Sequence, residues 1–196
     1  MLKKNIILGM LFVMVLSCNQ SKTNDPKQID DANNNWKIQF DQKLPLLGHR
    51  NWIVIADKAF PEQNAAGIEV INTNENLLPV LKYVLQEVNS SSHVKPIIYR
   101  DKELQFIIES QAKGVTAFRL ESEKLMRADR ESALQPRTIL HDSVFAKLDE
   151  ASKLFKILVL KTNETIPYTS VFMQLDCSYW NGEKEKQLRE KMNNQK

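Results

Sequence analysis

The stretch that most constrains the fold of this chain is Trp52-Ile53-Val54-Ile55-Ala56, five apolar residues without a polar break. Gly48 and His49 precede it, Asp57 ends it, and Pro61 closes the segment. Tryptophan, isoleucine and valine favour extended backbone, and an unbroken apolar run suits a strand covered on both faces. A sheet covered on both faces needs helices above and below it. Asp57 then sits where the strand leaves the sheet, the edge at which open α/β sheets hold ligands. The plainer alternative makes His49 a loop histidine and Asp57 a turn or cap residue.

The rest of the chain is consistent with this α/β expectation. Trp36, Ile38 and Phe40 alternate as in a short strand, and Asp41 to Leu47 is a short helix limited by Pro45, with Gly48 as its stop. A second strand is expected over Gly67 to Ile71. Leu77, Leu81, Val84 and Val88 recur at helical spacing behind the N-cap candidate Asn76. Val94 to Tyr99 suits a strand in which Pro96 requires an edge or a strand start. A helix over Asp101 to Lys113 ending at Gly114, a strand over Val115 to Leu120 and a charged helix over Glu121 to Leu134 follow. Thr138 to Leu140 is a short strand. His141 precedes a helix capped by Asp142 or Ser143, with Val144, Leu148, Ala151 and Phe155 as its stripe. Strands over Ile157 to Leu160 and Tyr168 to Leu175 complete a largely parallel sheet.

The N-terminus has a different character. Lys3 and Lys4 lead into the apolar run Ile6 to Leu16, which is shorter than the ~20 residues needed to span a bilayer. A basic start, a short apolar segment and a small residue before a cut form a secretory signal. Val15-Leu16-Ser17-Cys18 further resembles a bacterial lipoprotein box, which implies a lipidated Cys18 as mature N-terminus, a membrane-anchored chain and a bacterial cell-envelope location. Cys177 then has no partner within the chain and is expected to be a packed thiol. Removing residues 1–17 leaves 25 basic against 24 acidic residues, so the mature domain is not built as a nucleic-acid binder. Residues 18–35 are polar and suit a flexible tether, 36–181 the α/β domain, and 182–196 a charged tail.

Several chemistries lack their motifs. There is no glycine-rich phosphate loop of either standard type, and no serine in a nucleophile elbow. The three histidines, His49, His93 and His141, do not pair at metal-ligand spacing, so no metal is expected.

Gly48, His49, Asp57, Phe60 and Pro61 together resemble the Gly-His…Asp…Pro segment of the RbsD/FucU sugar mutarotases, with Lys58 where that family has a small residue. Ile166-Pro167-Tyr168-Thr169-Ser170 resembles the family's late Tyr-x-Asn segment, with Ser170 in place of asparagine, and His141 resembles the family's histidine ahead of a helix. The resemblance implies a three-layer RbsD-like α/β domain, a free monosaccharide as substrate, and no cofactor. It implies His49 as the catalytic acid/base, with Asp57, His141, Tyr168 and Ser170 binding sugar. Imidazole chemistry suits the reaction, because ring opening needs one group to take a proton and another to give one near neutral pH. A non-catalytic sugar-binding module is the alternative, kept open by Lys58 and Ser170. An envelope structural lipoprotein that reuses the fold is a third reading.

His49 and Asp57 lie eight residues apart. Fully extended, that segment would separate them by ~26 Å, more than one monosaccharide bridges. Either Gly48 to Asn51 folds back, or a neighbouring subunit completes the site. The family's ring-like assemblies imply the second, a homo-oligomer.

Overall fold

The computed structural model describes residues 35–127 and 135–194. The expected signal, Cys18 and nearly all of the expected tether lie outside the described residues, as does the C-terminal part of the helix expected over Glu121 to Leu134.

Six strands form one sheet: β1 (Trp52–Ala56), β2 (Ile68–Asn72), β3 (Val94–Asp101), β4 (Arg137–Ile139), β5 (Ile157–Lys161) and β6 (Val171–Cys177). Their spatial order is β2-β5-β1-β6-β3-β4. β1 pairs in parallel with β5, β5 with β2, and β3 with β4, whereas β6 is antiparallel to both β1 and β3. Five strands therefore point one way and β6 alone runs against them. β1 lies between β5 and β6, and all five of its residues are buried.

Alternation along β1 divides the interior. Ile53 and Ile55 join a large cluster under α1 (Trp36–Lys43), α2 (Leu77–Ser90) and α3 (Val115–Arg127). Trp52, Val54 and Ala56 join a smaller one on the opposite face, under α4 (His141–Ser152). Helices thus cover both faces of the sheet and make three layers. The last helix, α5 (Gly182–Asn193), buries none of its residues.

Four local expectations are corrected. The Trp36-Ile38-Phe40 alternation is not a strand. Asn35 caps a helix by accepting the Lys37 N–H at 3.1 Å, and Trp36 and Phe40, one turn apart, are buried beside Tyr83 while Ile38 is 43% exposed. Val115 to Leu120 is the start of α3: Val115, Phe118, Ser122 and Met126 are buried at helical intervals and Leu120 faces outward. The helix expected over Asp101 to Lys113 is one short 3-10 turn, Lys102–Phe106, followed by turns, because only Leu104 of its apolar residues is buried. Gly114 therefore ends no helix but precedes α3, at φ +89°. Finally, α4 begins at His141 itself, with no side-chain cap from Leu140. The carboxylate of Glu103 takes the His141 N–H instead, at 3.1 and 3.2 Å.

Pro96 sits in β3 where the strand has one neighbour. β4 pairs only with Tyr99 to Asp101, so among the described residues no strand lies on the other side of the Pro96 stretch.

Candidate functional site

The parallel strands and the reversed β6 bring five chain segments to one sheet edge. Asp57 follows the end of β1, Thr162 the end of β5, Asp101 ends β3, and His141 comes two residues after β4. Ser170 immediately precedes β6, which enters the sheet from this same edge. A cavity of about 490 Å³ opens there, lined among others by Asp57, Phe60, His141, Phe145, Tyr168 and Ser170. Its size falls within the range of small-molecule sites.

Each lining group is held by its surroundings. The Asp57 carboxylate accepts the Ala59 N–H at 3.0 Å through Oδ1 and the Ser170 hydroxyl at 3.0 Å through Oδ2. The Asp57 N–H in turn donates to Ser170 Oγ at 3.0 Å. Ser170 is 3% exposed, and its single proton is committed to Asp57. Its hydroxyl therefore donates to the carboxylate, and both Ser170 and Asp57 line the cavity, the carboxylate with oxygen lone pairs to spare.

His141 lines the same cavity. Its Nδ1 lies 3.0 Å from Asp101 Oδ2, and the ring packs against Phe145 at 4.7 Å and Tyr168 at 5.1 Å between centroids. Phe60 stacks on Phe145 at 5.3 Å and extends the aromatic wall. Tyr168 holds φ +59°, an uncommon left-handed conformation for a bulky residue, and Thr169 Oγ1 closes that turn on the Ile166 carbonyl at 2.7 Å. The sequence does not mark Asp101 as the partner of His141. The sequence offers it only as a helix start, and nothing local signals that β3 delivers it behind His141.

Lys58 lies on the cavity rim, where its ammonium meets Asn163 Oδ1 at 3.1 Å. One oxygen of the Glu164 carboxylate, Oε1, accepts the Thr165 and Ile166 N–H groups at 2.9 and 3.0 Å.

The structure thus brings together Asp57, His141, Tyr168 and Ser170, and leaves His49 apart. Gly48 to Asn51 form a tight turn, with Asn51 N–H on the Gly48 carbonyl at 3.1 Å and Arg50 at φ +76°. This turn does not carry His49 back toward Asp57. His49 Nδ1 pairs instead with Asp176 Oδ1 at 3.0 Å, near the end of β6 and at the opposite edge of the sheet. Lys95 also approaches Asp176, at 3.7 Å. His93 is a structural histidine that ties Ser91 to the Leu47 carbonyl. Among the described residues, no three His, Cys, Asp or Glu side chains group as a metal site, and Cys177 is a partly buried free thiol.

No protein-family model matches the chain, and no curated protein matches it. Solved structures do. The structure of Bacillus subtilis RbsD complexed with D-ribose is 18% identical over 69% of this chain and 89% of its own, with a TM-score of 0.48. FucU from Bifidobacterium longum is 16% identical over 70% of this chain and 92% of its own, with a TM-score of 0.49. The fucose mutarotase of Streptococcus pneumoniae in complex with L-fucose is 15% identical over 76% and 91%, with a TM-score of 0.48. These three solved structures to which the chain is similar are of the RbsD and FucU type.

Proposed function

We propose that the cavity at the carboxyl edge of the sheet binds a free monosaccharide and that the protein speeds the interconversion of its anomeric or ring forms. The observation that carries this reading is the convergence of Asp57, His141 and Tyr168 on one cavity with an aromatic wall. A carboxylate accepts charge-assisted hydrogen bonds from sugar hydroxyls, an imidazole can give or accept one, and aromatic rings cover the apolar face of a pyranose. The resemblance of the Gly48 to Pro61 stretch to the RbsD/FucU mutarotases supports the same reading from the sequence.

The chemistry asks for two proton movements. The anomeric hydroxyl loses its proton as the C1–ring oxygen bond breaks and a carbonyl forms, and the ring oxygen gains a proton. Closure reverses both steps, with no net redox change and no cofactor required. In this proposal His49 is one acid/base, supplied to the cavity by a neighbouring copy in a homo-oligomer, while Asp57 holds sugar hydroxyls. Saturation-transfer NMR on a panel of aldoses tests the function, because it reports binding and anomer exchange together. Faster exchange of at least one aldose is expected; binding without faster exchange would favour the non-catalytic sugar-binding module. That alternative draws on the separation of His49 from the cavity within one chain.

The proposal places the protein in a bacterial envelope, anchored through lipid on Cys18. Its support is Lys3-Lys4, the short apolar run and the cysteine that ends it. Acyl chains supply membrane affinity that a near-neutral domain lacks. Cys18→Ser should release the protein from the membrane fraction and change the mass of the mature chain. Unchanged partitioning and mass would refute the anchor.

A further inference from the structure

Asp101 is a buried carboxylate behind His141, which lines the cavity, and the proton movements of the proposed reaction give it no task. The residue is 2% exposed, Oδ1 meets no hydrogen-bond donor, and Oδ2 is 3.0 Å from His141 Nδ1. An ionised carboxylate is costly to bury, and a fold that only needed to hold His141 in place could do so with a backbone carbonyl. The charge is worth burying if the imidazole it faces must sometimes be positive.

We propose that Asp101 is a positioning residue that holds His141 with its proton on Nδ1, so that Nε2 presents a lone pair to the cavity and accepts the proton of the sugar's anomeric hydroxyl. The inference rests on the mutarotase reading and supplies its second proton mover. A carboxylate can only accept a hydrogen bond from the neutral ring, which places the imidazole proton on the nitrogen facing it. The ring is confined by Phe145 and Tyr168, and the His141 N–H is fixed by Glu103, so the tautomer and the ring's direction are set together.

The proton balance closes. His141 Nε2 takes the proton from the anomeric oxygen, becoming an imidazolium paired with Asp101. The C1–ring oxygen bond breaks, and the ring oxygen takes its proton from the second acid/base, His49 of a neighbouring copy. Ring closure on the other face returns both protons. Asp57 and Glu103 are the other carboxylates near Asp101. Asp57 is engaged with Ser170 and Ala59, and Glu103 with the His141 backbone, so Asp101 is the carboxylate in contact with the ring.

Two measurements at pH 8 test this. Two-bond 1H–15N correlation spectra of protein labelled at histidine report each ring's tautomer without reference to activity, the His141 signal being identified by its loss in His141→Gln. The wild type should show Nδ1–H with an unprotonated Nε2; the opposite tautomer overturns the assignment. Asp101→Asn removes the charge that stabilises the imidazolium whichever way its amide faces. Its exchange rate at saturating aldose should fall at least about tenfold, with KM within about twofold, since acid/base groups contribute factors of 10²–10⁴. An unchanged rate in a folded variant overturns the role of Asp101 while leaving the mutarotase reading intact. A wild type that speeds no exchange overturns that reading, and the catalytic role of the pair with it.

Discussion

At the scale of single residues, the cavity shows how burial trades stability for readiness. Burial pushes the Asp101 carboxyl up from 3.8 to about 6, against the opposing effect of the His141 hydrogen bond; Glu103 and Asp57 add smaller upward contributions. The folded protein therefore binds this proton more tightly than the unfolded chain does. The contribution to stability is fully present below the unfolded value near 3.8 and is lost as pH rises through about 6. Asp101→Asn removes the ionisation and should raise stability at pH 8 by about 1–3 kcal/mol, from ~1.4 kcal/mol per pKa unit less the weakened contact to His141. Near pH 3.5 the variant and the wild type should be nearly equal. Urea unfolding at the two pH values checks this, and a destabilised variant at pH 8 would show that the pair to His141 outweighs the burial cost. Ser170 teaches a related lesson. The sequence offers a serine where asparagine is usual and suggests a shorter arm toward a sugar. Only the backbone geometry reveals that this hydroxyl is turned onto Asp57.

At the scale of elements, what the sequence discloses depends on how local the cause is. β1 is legible because five consecutive apolar residues need no distant information. α2 is legible because its apolar positions repeat at helical spacing over 14 residues. The Trp36 and Val115 segments mislead because apolar residues three or four positions apart, Trp36 with Phe40 and Val115 with Phe118, make one helical face inside a short apolar stretch that also suits a strand, and only the partner surface decides between them. Trp36 and Phe40 have Tyr83 to pack on, and Phe118 and Met126 lie in the same core. The site divides in the same way. Asp57 and Tyr168 are visible in short motifs, whereas Asp101 depends on a strand delivering it to a histidine 40 positions away. One close approach between elements has a sharp consequence. A Cβ at Gly67, just before β2, would collide with the Ser152 carbonyl at the end of α4 and lie 2.9 Å from the Phe155 carbonyl oxygen. Both obstacles are backbone, so relief requires the end of α4 to move away from β2. Gly67→Ala should cost at least about 1–3 kcal/mol in urea unfolding, the range for overpacking. An effect below about 0.5 kcal/mol would mean that this junction yields freely.

At the scale of the whole molecule, the decisive fact is that β1 separates two chemistries. Asp57 leaves one end of the strand beside the cavity, and the turn holding His49 enters at the other, where His49 is bound to Asp176. Five residues of strand between them span ~17 Å, several times the reach of a proton transfer. The tight turn at Gly48 to Asn51 removes the fold-back alternative within one chain, since it delivers His49 to β6 rather than to the cavity. If His49 is an acid/base for the sugar, its site must therefore be a neighbour's. The His49 side chain is 55% exposed, which leaves it available to a second copy and makes its pairing with Asp176 a weak tie. A symmetric assembly repeats such a contact around its axis, so each cavity would receive one donated histidine. His49→Ala and Asp57→Ala should each abolish exchange as separate homo-oligomers. After subunit exchange, mixed assemblies should recover part of the activity, because some contacts pair an intact His49 on one copy with an intact Asp57 on the next. In a random equimolar mixture a site regains both residues only when its cavity comes from a His49→Ala chain and its donated histidine from an Asp57→Ala chain, in about one case in four, so recovery of roughly a quarter of wild-type exchange is the ceiling. Sedimentation velocity must show oligomers and native mass spectrometry must show mixed ones. No recovery from confirmed mixed oligomers, or a monomer that exchanges anomers at the wild-type rate, would remove His49 from the sugar site and leave His141 with Asp101 as the acid/base within the cavity.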